Sequence, residues 1–520
     1  MGIISTSKAA GVGSSVENQA FAVTAQVVPR KITIVGTYDP LKTDIVPDVP
    51  IRVFSAEEVG ALCGYGFMIH RLAVQSFKGS GNGIETWIIP QTEDGVKATG
   101  SIDFTGSTGS GDTIFLYISG ILDMPVEIPL SSGITGADIC ALVTAAINRI
   151  KELPVTAVLN IVPEICDITA KSTNVWGNDI SIAFNKRPGE ELPPGVIAVV
   201  TDMTGGSGTY DISDAIDALG VGDNANEKFI TELIHGYGTG GLDILSEYVG
   251  KGDTKTGCYS ELVHKPFQSL IGDVLAGSSG FTYVRNIGNL RKGTDRTNGI
   301  ICVPGSVSHK AEIAAQAMGH RARIANIRPE QNYVDIILAD IDPGDAVDRW
   351  TSYYNFRDTA VKNGISPTIV KNGIVYMQNL VSFYHPDSVP VNSNGYASFR
   401  NLAIIQNLLD SQYRTFNTEK WKNFTIVEDV TKVTNVEARK KARDIDSVID
   451  ECVALITVWL GLAWIYEKKY SIEQLALPGA VNIRAGTDGF DINLKTIPSG
   501  EGNIMNINTI LDTSIAVLSQ

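Results

Sequence analysis

Several groups of residues have the types and spacings that could do chemistry. Gly236-Tyr-Gly-Thr-Gly-Gly241 fits G-x-G-x-x-G and follows a strand candidate ending at Ile234. In a dinucleotide site such glycines let the backbone approach a pyrophosphate at a helix N-terminus. The helix expected next, residues 242–249, is short, and no second strand ends in an acidic residue about 20 positions on. No G-x-x-x-x-G-K-[ST] loop occurs, and no serine has glycine at both i−2 and i+2, as a nucleophile elbow requires. The histidines His70, His235, His264, His309, His320 and His385 include no H-x-x-x-H metal pair. His309 and His320 flank one helix, where a solvated or capping role fits better than catalysis. The string Asp335, Asp340, Asp342, Asp345 and Asp348 lacks the ligand spacing of a calcium loop. Pro343-Gly344 marks a turn instead, after which Asp345 is expected to cap a helix. No catalytic, cofactor or metal site is expected.

The strongest charge feature is Glu437-Ala-Arg-Lys-Lys-Ala-Arg443. It is expected to open one long helix, residues 436–466, with an apolar stripe at Ala438, Ala442, Ile445, Val448, Ile449 and Cys452. Arg439, Lys440 and Arg443 fall on the opposite arc, joined by Arg414, Lys420 and Lys422. Two readings stay open: a solvated helix face, or a basic patch for an acidic protein partner.

The elements that must position these residues follow from composition and periodicity. At 520 residues the chain is too long for one core, so two to four domains are expected. It is 43% hydrophobic, contains 51 glycines and carries a net charge of −15. That balance argues against nucleic-acid binding, because no basic excess exists to neutralise phosphates. The six cysteines are scattered without a C-x-x-C pair, which suggests reduced thiols and a reducing compartment. The N-terminus lacks the basic and apolar regions of a secretory leader. The longest apolar run, Cys452 to Tyr466, is too short to span a bilayer, so no membrane insertion is expected.

Residues 1–20 read as an extended arm. Strands are expected at 21–28, 31–35 and 85–89, with a helix from Ser55, opened by Ser55-Ala-Glu-Glu58, and another over 68–77. From 95 to 207 short strands separated by Gly/Ser/Thr turns surround one helix, 137–151. This β-rich block has soft Gly-rich flanks inside an α/β pattern, as an inserted domain would. The expected fold class is therefore α/β and α+β multidomain. A discontinuous layered α/β domain (21–94 plus 208–390) carries the β-rich α+β insert at 95–207. A C-terminal α+β domain follows at 391–497, and an arm at 498–520.

That last arm is distinctive. Strands are expected over Phe490–Ile497 and Asn503–Leu511, split by Pro498-Ser-Gly-Glu-Gly502. In the second, Ile504, Asn506, Asn508 and Ile510 alternate with Met505, Ile507, Thr509 and Leu511, the period of a half-buried strand. A terminal strand with unpaired backbone groups is either tucked into its own sheet or donated to a neighbour.

The collinear order of several segments resembles the tail sheath proteins of contractile, Mu-like phage tails. The segments are Gly100-Ser-Ile-Asp-Phe-Thr-Gly106, Asp112-Thr-Ile-Phe-Leu-Tyr-Ile-Ser-Gly120, Ala141-Leu-Val-Thr-Ala-Ala-Ile-Asn148, Leu153-Pro-Val-Thr-Ala157, Trp176-Gly-Asn-Asp-Ile-Ser-Ile182, Leu192-Pro-Pro-Gly-Val196, Met203-Thr-Gly-Gly-Ser-Gly208, Phe399-Arg-Asn-Leu402 and Tyr413-Arg-Thr-Phe416. The resemblance implies a structural homo-oligomer with no cofactor, built as stacked hexameric rings around an inner tail tube and contacting baseplate and tail terminator proteins. It implies a virion component assembled in the host cytoplasm, which contracts to drive the tube through the host envelope during genome ejection. It further implies strand exchange by both arms, through Ile3 and Ile4 at one end and Ile504, Asn506, Asn508 and Ile510 at the other. The basic patch Arg439, Lys440, Arg443, Lys420 and Lys422 would face the tube, and the insert would face outward. The sheath of a bacteriocin or another contractile injection system fits the same text. A tail-associated adhesin and an enzyme with a dispersed site are the rival classes.

Overall fold

The computed structural model describes residues 26–208, 211–219, 230–248, 267–387, 396–484 and 488–500. They divide into two units, one from residue 27 to 409 with 498–500, the other formed chiefly by 410–497. The architecture is mixed α/β, as its sequence pattern leads one to expect.

The first unit is organised by a nine-stranded sheet. Its order is Ile336–Leu338, Ile374–Met377, Ile365–Lys371, Asn298–Cys302, Gln268–Asp273, Glu232–His235, Lys31–Thr37, Glu85–Gln91, Ile51–Val53. The six strands from Ile365–Lys371 through Glu85–Gln91 are parallel to their neighbours, and antiparallel strands close both sides. A parallel strand covered on both faces reads as a continuous apolar run. Lys31–Thr37 is such a run, buried from Ile32 onward.

The helices Met68–Ser80 and Lys310–Ala325 pack against each other and against Lys31–Thr37. Glycine permits their close approach. A Cβ on Gly79 would lie 2.2 Å from the Gln316 carbonyl oxygen, and one on Gly319 would lie 2.3 Å from that of Ser76. The helix at Ser55 forms as expected over Ala56–Cys63. Ser55 accepts from the Glu58 amide at 3.2 Å, and Glu58 reaches back to the Phe54 amide at 2.7 Å.

Charges inside this unit are paired. Arg71 forms a two-pronged bond to Glu312, at 3.0 and 2.7 Å. Glu232 is fully buried between Arg321 and Arg30, and Gln268 and Gln406 bond the same guanidiniums. Burial lowers the Arg30 pKa to about 10 despite the Glu232 carboxylate. His70, His235 and His320 are buried too, which pushes their pKa values down to about 3, 4 and 4.

Within residues 97–204 lie a four-stranded sheet, Val196–Thr204, Lys97–Gly106, Ile165–Thr173 and Val155–Leu159, and a three-stranded one, Val126–Leu130, Asp112–Ile118 and Ile182–Phe184. The helix Gly136–Arg149 packs on both, started by a capping box between Thr135 and Asp138. Entry and exit meet where the Val96 amide donates to the Ser207 carbonyl at 2.7 Å.

Three expectations need correction. The stretch 436–466 is not one helix: Val436–Lys441 ends, Ala442–Arg443 pairs with Thr425–Ile426, and a new helix runs Ile445–Gly461. The break is made by Asp444, whose carboxylate caps Ser447 and also accepts the Val430 amide. Asp345 caps no helix. Asp342 organises that turn instead, accepting from Val307 and Gly344. Of the two roles expected for His309, capping is the one observed and needs no correction: it is the buried N-cap of Lys310–Ala325, accepting from the Ala311 amide. The strand expected over 490–497 shortens to Phe490–Ile492. Of the strand expected over 21–28, residues 26–28 are irregular and the rest lie outside the described residues.

Candidate functional site

The basic run is held on a short, well-capped scaffold. Asn435 caps the helix Val436–Lys441, its side-chain oxygen accepting from Glu437 and Ala438 at 3.0 and 3.2 Å. All six residues of that helix are exposed. Ahead of it, the Phe416, Trp421, Phe424 and Phe490 rings meet in series, the first two contacts edge-on and the third stacked, with centroid separations of 5.1, 6.0 and 5.8 Å. This aromatic row fixes the loop that carries Lys420 and Lys422.

The structure brings the expected residues together through Arg443. Its guanidinium donates to the carbonyls of Lys440, Ala442 and Lys420, and lies 5.6 Å from the Trp421 ring centroid. Arg443 is therefore a clamp between the loop and the helix, not a free charge. Lys440 pairs with Glu437 at 2.8 Å, Lys422 with Glu419 at 3.8 Å, and Arg414 with Asp410 at 2.5 Å. Lys420 pairs with the buried carboxylate of Glu451. Arg439 donates to the Val433 carbonyl, and Lys441 lies 3.5 Å from that of Glu419. Neither has a carboxylate partner among the described residues. Lys441 belongs on the face as firmly as the residues singled out from the sequence. Its signal was its place in the same run, between Lys440 and Arg443.

The face can attract an acidic surface, with charge only partly neutralised from within. Residues 410–497 hold 12 Lys and Arg against 13 Asp and Glu, so almost all of the net −15 lies elsewhere in the chain.

Among the described residues, the same unit has sheet edges with no further strand paired to them. Val481–Ile483 pairs with Phe490–Ile492, and Thr425–Ile426 with Ala442–Arg443, each as a two-stranded sheet. Two-stranded sheets are marginal alone and present unpaired backbone groups along their edges. The arm residues expected to exchange strands, Ile3, Ile4, Ile504, Asn506, Asn508 and Ile510, lie outside the described residues. The arm's beginning is anchored: Arg400 donates to the Ser499 carbonyl at 2.6 Å and to its hydroxyl at 2.7 Å. No helix among the described residues is long and apolar enough to cross a membrane.

A mixed α/β chain with an open-edged C-terminal unit defines a class of architecture, and comparison with known proteins narrows it. No family model matches the chain. Over 172 residues it is 29% identical to the Mu-like prophage FluMu tail sheath protein of Haemophilus influenzae, a match covering 33% of this chain and 34% of that one. The chain thus spans about a third of the length of the curated relative it matches. Solved structures give weaker likenesses. The sheath tail protein of Desulfitobacterium hafniense aligns at 13% identity and a TM-score of 0.42, covering 94% of this chain and 98% of that one. That of Listeria innocua aligns at 11% and 0.40, covering 92% and 94%. The resemblance to Mu-like tail sheath proteins stands on the curated relative.

Proposed function

We propose that this chain is a structural subunit of a contractile tail sheath. The observation that carries the reading is the C-terminal unit, whose two-stranded sheets have open edges among the described residues. Its support is the local relationship to a Mu-like tail sheath protein. In this reading, subunits form stacked hexameric rings around an inner tube, and the arms 1–25 and 498–520 add strands to the open edges of neighbours. Side-chain interfaces are lost when subunits slide and rotate during contraction. Strands joined through flexible connections stay paired, so the lattice survives. Free energy stored in the extended sheath drives the tube through the host envelope, without nucleotide hydrolysis. Baseplate and terminator proteins bound the polymer, and the mature protein resides in the virion after assembly in the host cytoplasm.

The basic face is the tube-facing element of this proposal, and residues 95–207 the outward one. Reversing Arg439, Lys440 and Lys441 to glutamate, with the clamp Arg443 left intact, is expected to abolish sheath of normal length on tubes while the subunit keeps its fold. Normal sheath from that variant would refute the tube-facing assignment. Ending the chain after Gly500 is expected to leave a folded subunit that no longer polymerises, as read by analytical ultracentrifugation. Polymers at the full-length yield would refute strand donation. The sheath of another contractile injection system remains a second reading, since the fold is indifferent to what the tube delivers.

A further inference from the structure

Two exposed surfaces of the 27–409 unit carry complementary chemistry. The first is built where the Phe281 ring meets Trp350 and Phe356 edge-on, at centroid separations of 5.2 and 5.8 Å. Tyr353 is 69% and Tyr354 60% exposed beside them, an unusual display of aromatic surface. Arg285 lies over the Phe281 ring and Arg357 over the Tyr354 ring. Neither guanidinium has a carboxylate partner among the described residues; Arg357 is held in place by the Thr351 and Ser352 carbonyls, at 3.1 and 2.8 Å, with its charge uncompensated. Aromatic side chains flanked by arginine are the composition of interface anchors.

The second surface is the connection between Lys31–Thr37 and Ile51–Val53. There Leu41 is 85% and Val46 61% exposed, and Asp39, Asp44 and Asp48 share the stretch with a single cation, Lys42. The Lys42 ammonium is engaged by the Ala61 carbonyl at 2.9 Å. The aromatic surface packs by Ile365–Lys371, and the acidic one leads into the edge strand Ile51–Val53, six strands away in the sheet. The start of the acidic stretch leaves Lys31–Thr37, four strands away; at about 4.8 Å per strand the separation is roughly 20 to 30 Å, so one copy cannot join its own two surfaces.

We propose that the aromatic–arginine surface of one copy receives the apolar, aspartate-bearing stretch 39–50 of a second copy. The contact is head-to-tail, so repetition yields a ring or a helix rather than a closed pair. It deepens the sheath reading by naming a lateral subunit contact separate from the arms.

Cross-linking tests it. Leu41→Cys and Tyr353→Cys are made on separate full-length chains in a Cys258→Ser background; the other five cysteines are buried. A short bis-maleimide added to the mixture should give covalent dimer at least about tenfold above either variant alone. Mixed dimer no higher than in the single-variant samples, or Tyr353→Cys copies linking to one another, would overturn the contact. As a second arm, Arg285→Glu should weaken assembly and Asp44→Lys on the same chain should restore it; failure to restore counts against the pairing. Electron microscopy of the same samples separates the two proposals. Tubes without mixed dimer sink this contact and leave the sheath reading; mixed dimer without tubes does the reverse; neither product overturns both.

Discussion

The two units treat their backbone and charge in opposite ways. In residues 27–409 the parallel strands are covered on both sides, and ions such as Glu232 and Arg321 meet partners at full burial. Among the described residues of 410–497 the sheets have two strands each, and three of seven cations on the basic face rest on main-chain carbonyls. A region whose interior satisfies itself can be a rigid body and still offer exposed surface. One whose described residues leave edges and charge open can take partners from outside, as the proposed assembly requires.

Acid should separate the units most sharply. All six histidines precede residue 386, so residues 410–497 contain none. His70, His235 and His320 stay neutral when folded, whereas unfolded histidine takes a proton below about pH 6.5. Their contribution is therefore complete above that pH and lost as the pH falls toward about 4. At pH 5 the loss is about 2 kcal/mol per histidine. In the C-terminal unit, Asp444 is held below its usual value: burial opposes ionisation, but bonds from Ser447 and Val430 outweigh it. Stability from a lowered carboxylate is present above its unfolded pKa, about 3.9, and lost only as pH falls through the folded one. Denaturant melts at pH 7 and pH 5, read by hydrogen exchange at one labelling pH, should show the 27–409 unit weakening and 410–497 unchanged. The reverse order would break the comparison.

Glu232→Gln should cost the first unit about 3–5 kcal/mol, because Arg30 and Arg321 would be left as buried, uncompensated cations. Chemical denaturation measures this, and a change within error would mean the network is not where the ions' cost is offset. Gly79→Val should cost about 1–3 kcal/mol by forcing the two packed helices apart. Asp444→Ala should cost about 1 kcal/mol, confined to 410–497, through loss of the cap at Ile445. Calorimetry that finds this loss spread over both units would show that they do not melt separately.

Much of the first unit was legible because its signals are local. The strands at 31–35 and 85–89 are β-branched apolar runs, and Ser55 and Glu58 spell their own cap. The helix Gly277–Arg291 was not legible. It opens Gly-Ser-Ser-Gly, a poor helix former, and rests instead on the burial of Phe281 and Val284. The break at Ala442 was hidden because Ala438, Ala442 and Ile445 continue a helical period, while the Asp444–Val430 bond that ends it spans 14 residues. The basic face was visible as a charge run. That Arg443 is a clamp and Lys420 serves a buried Glu451 depends on tertiary pairing, which no spacing records.

Negative-stain microscopy of the purified full-length chain tests the central claim most directly. An assembling sheath subunit should give tubes or stacked cogwheel rings, and these should vanish when the chain ends after Gly500. Monodisperse particles from the intact chain, across concentrations and salt, would contradict the account.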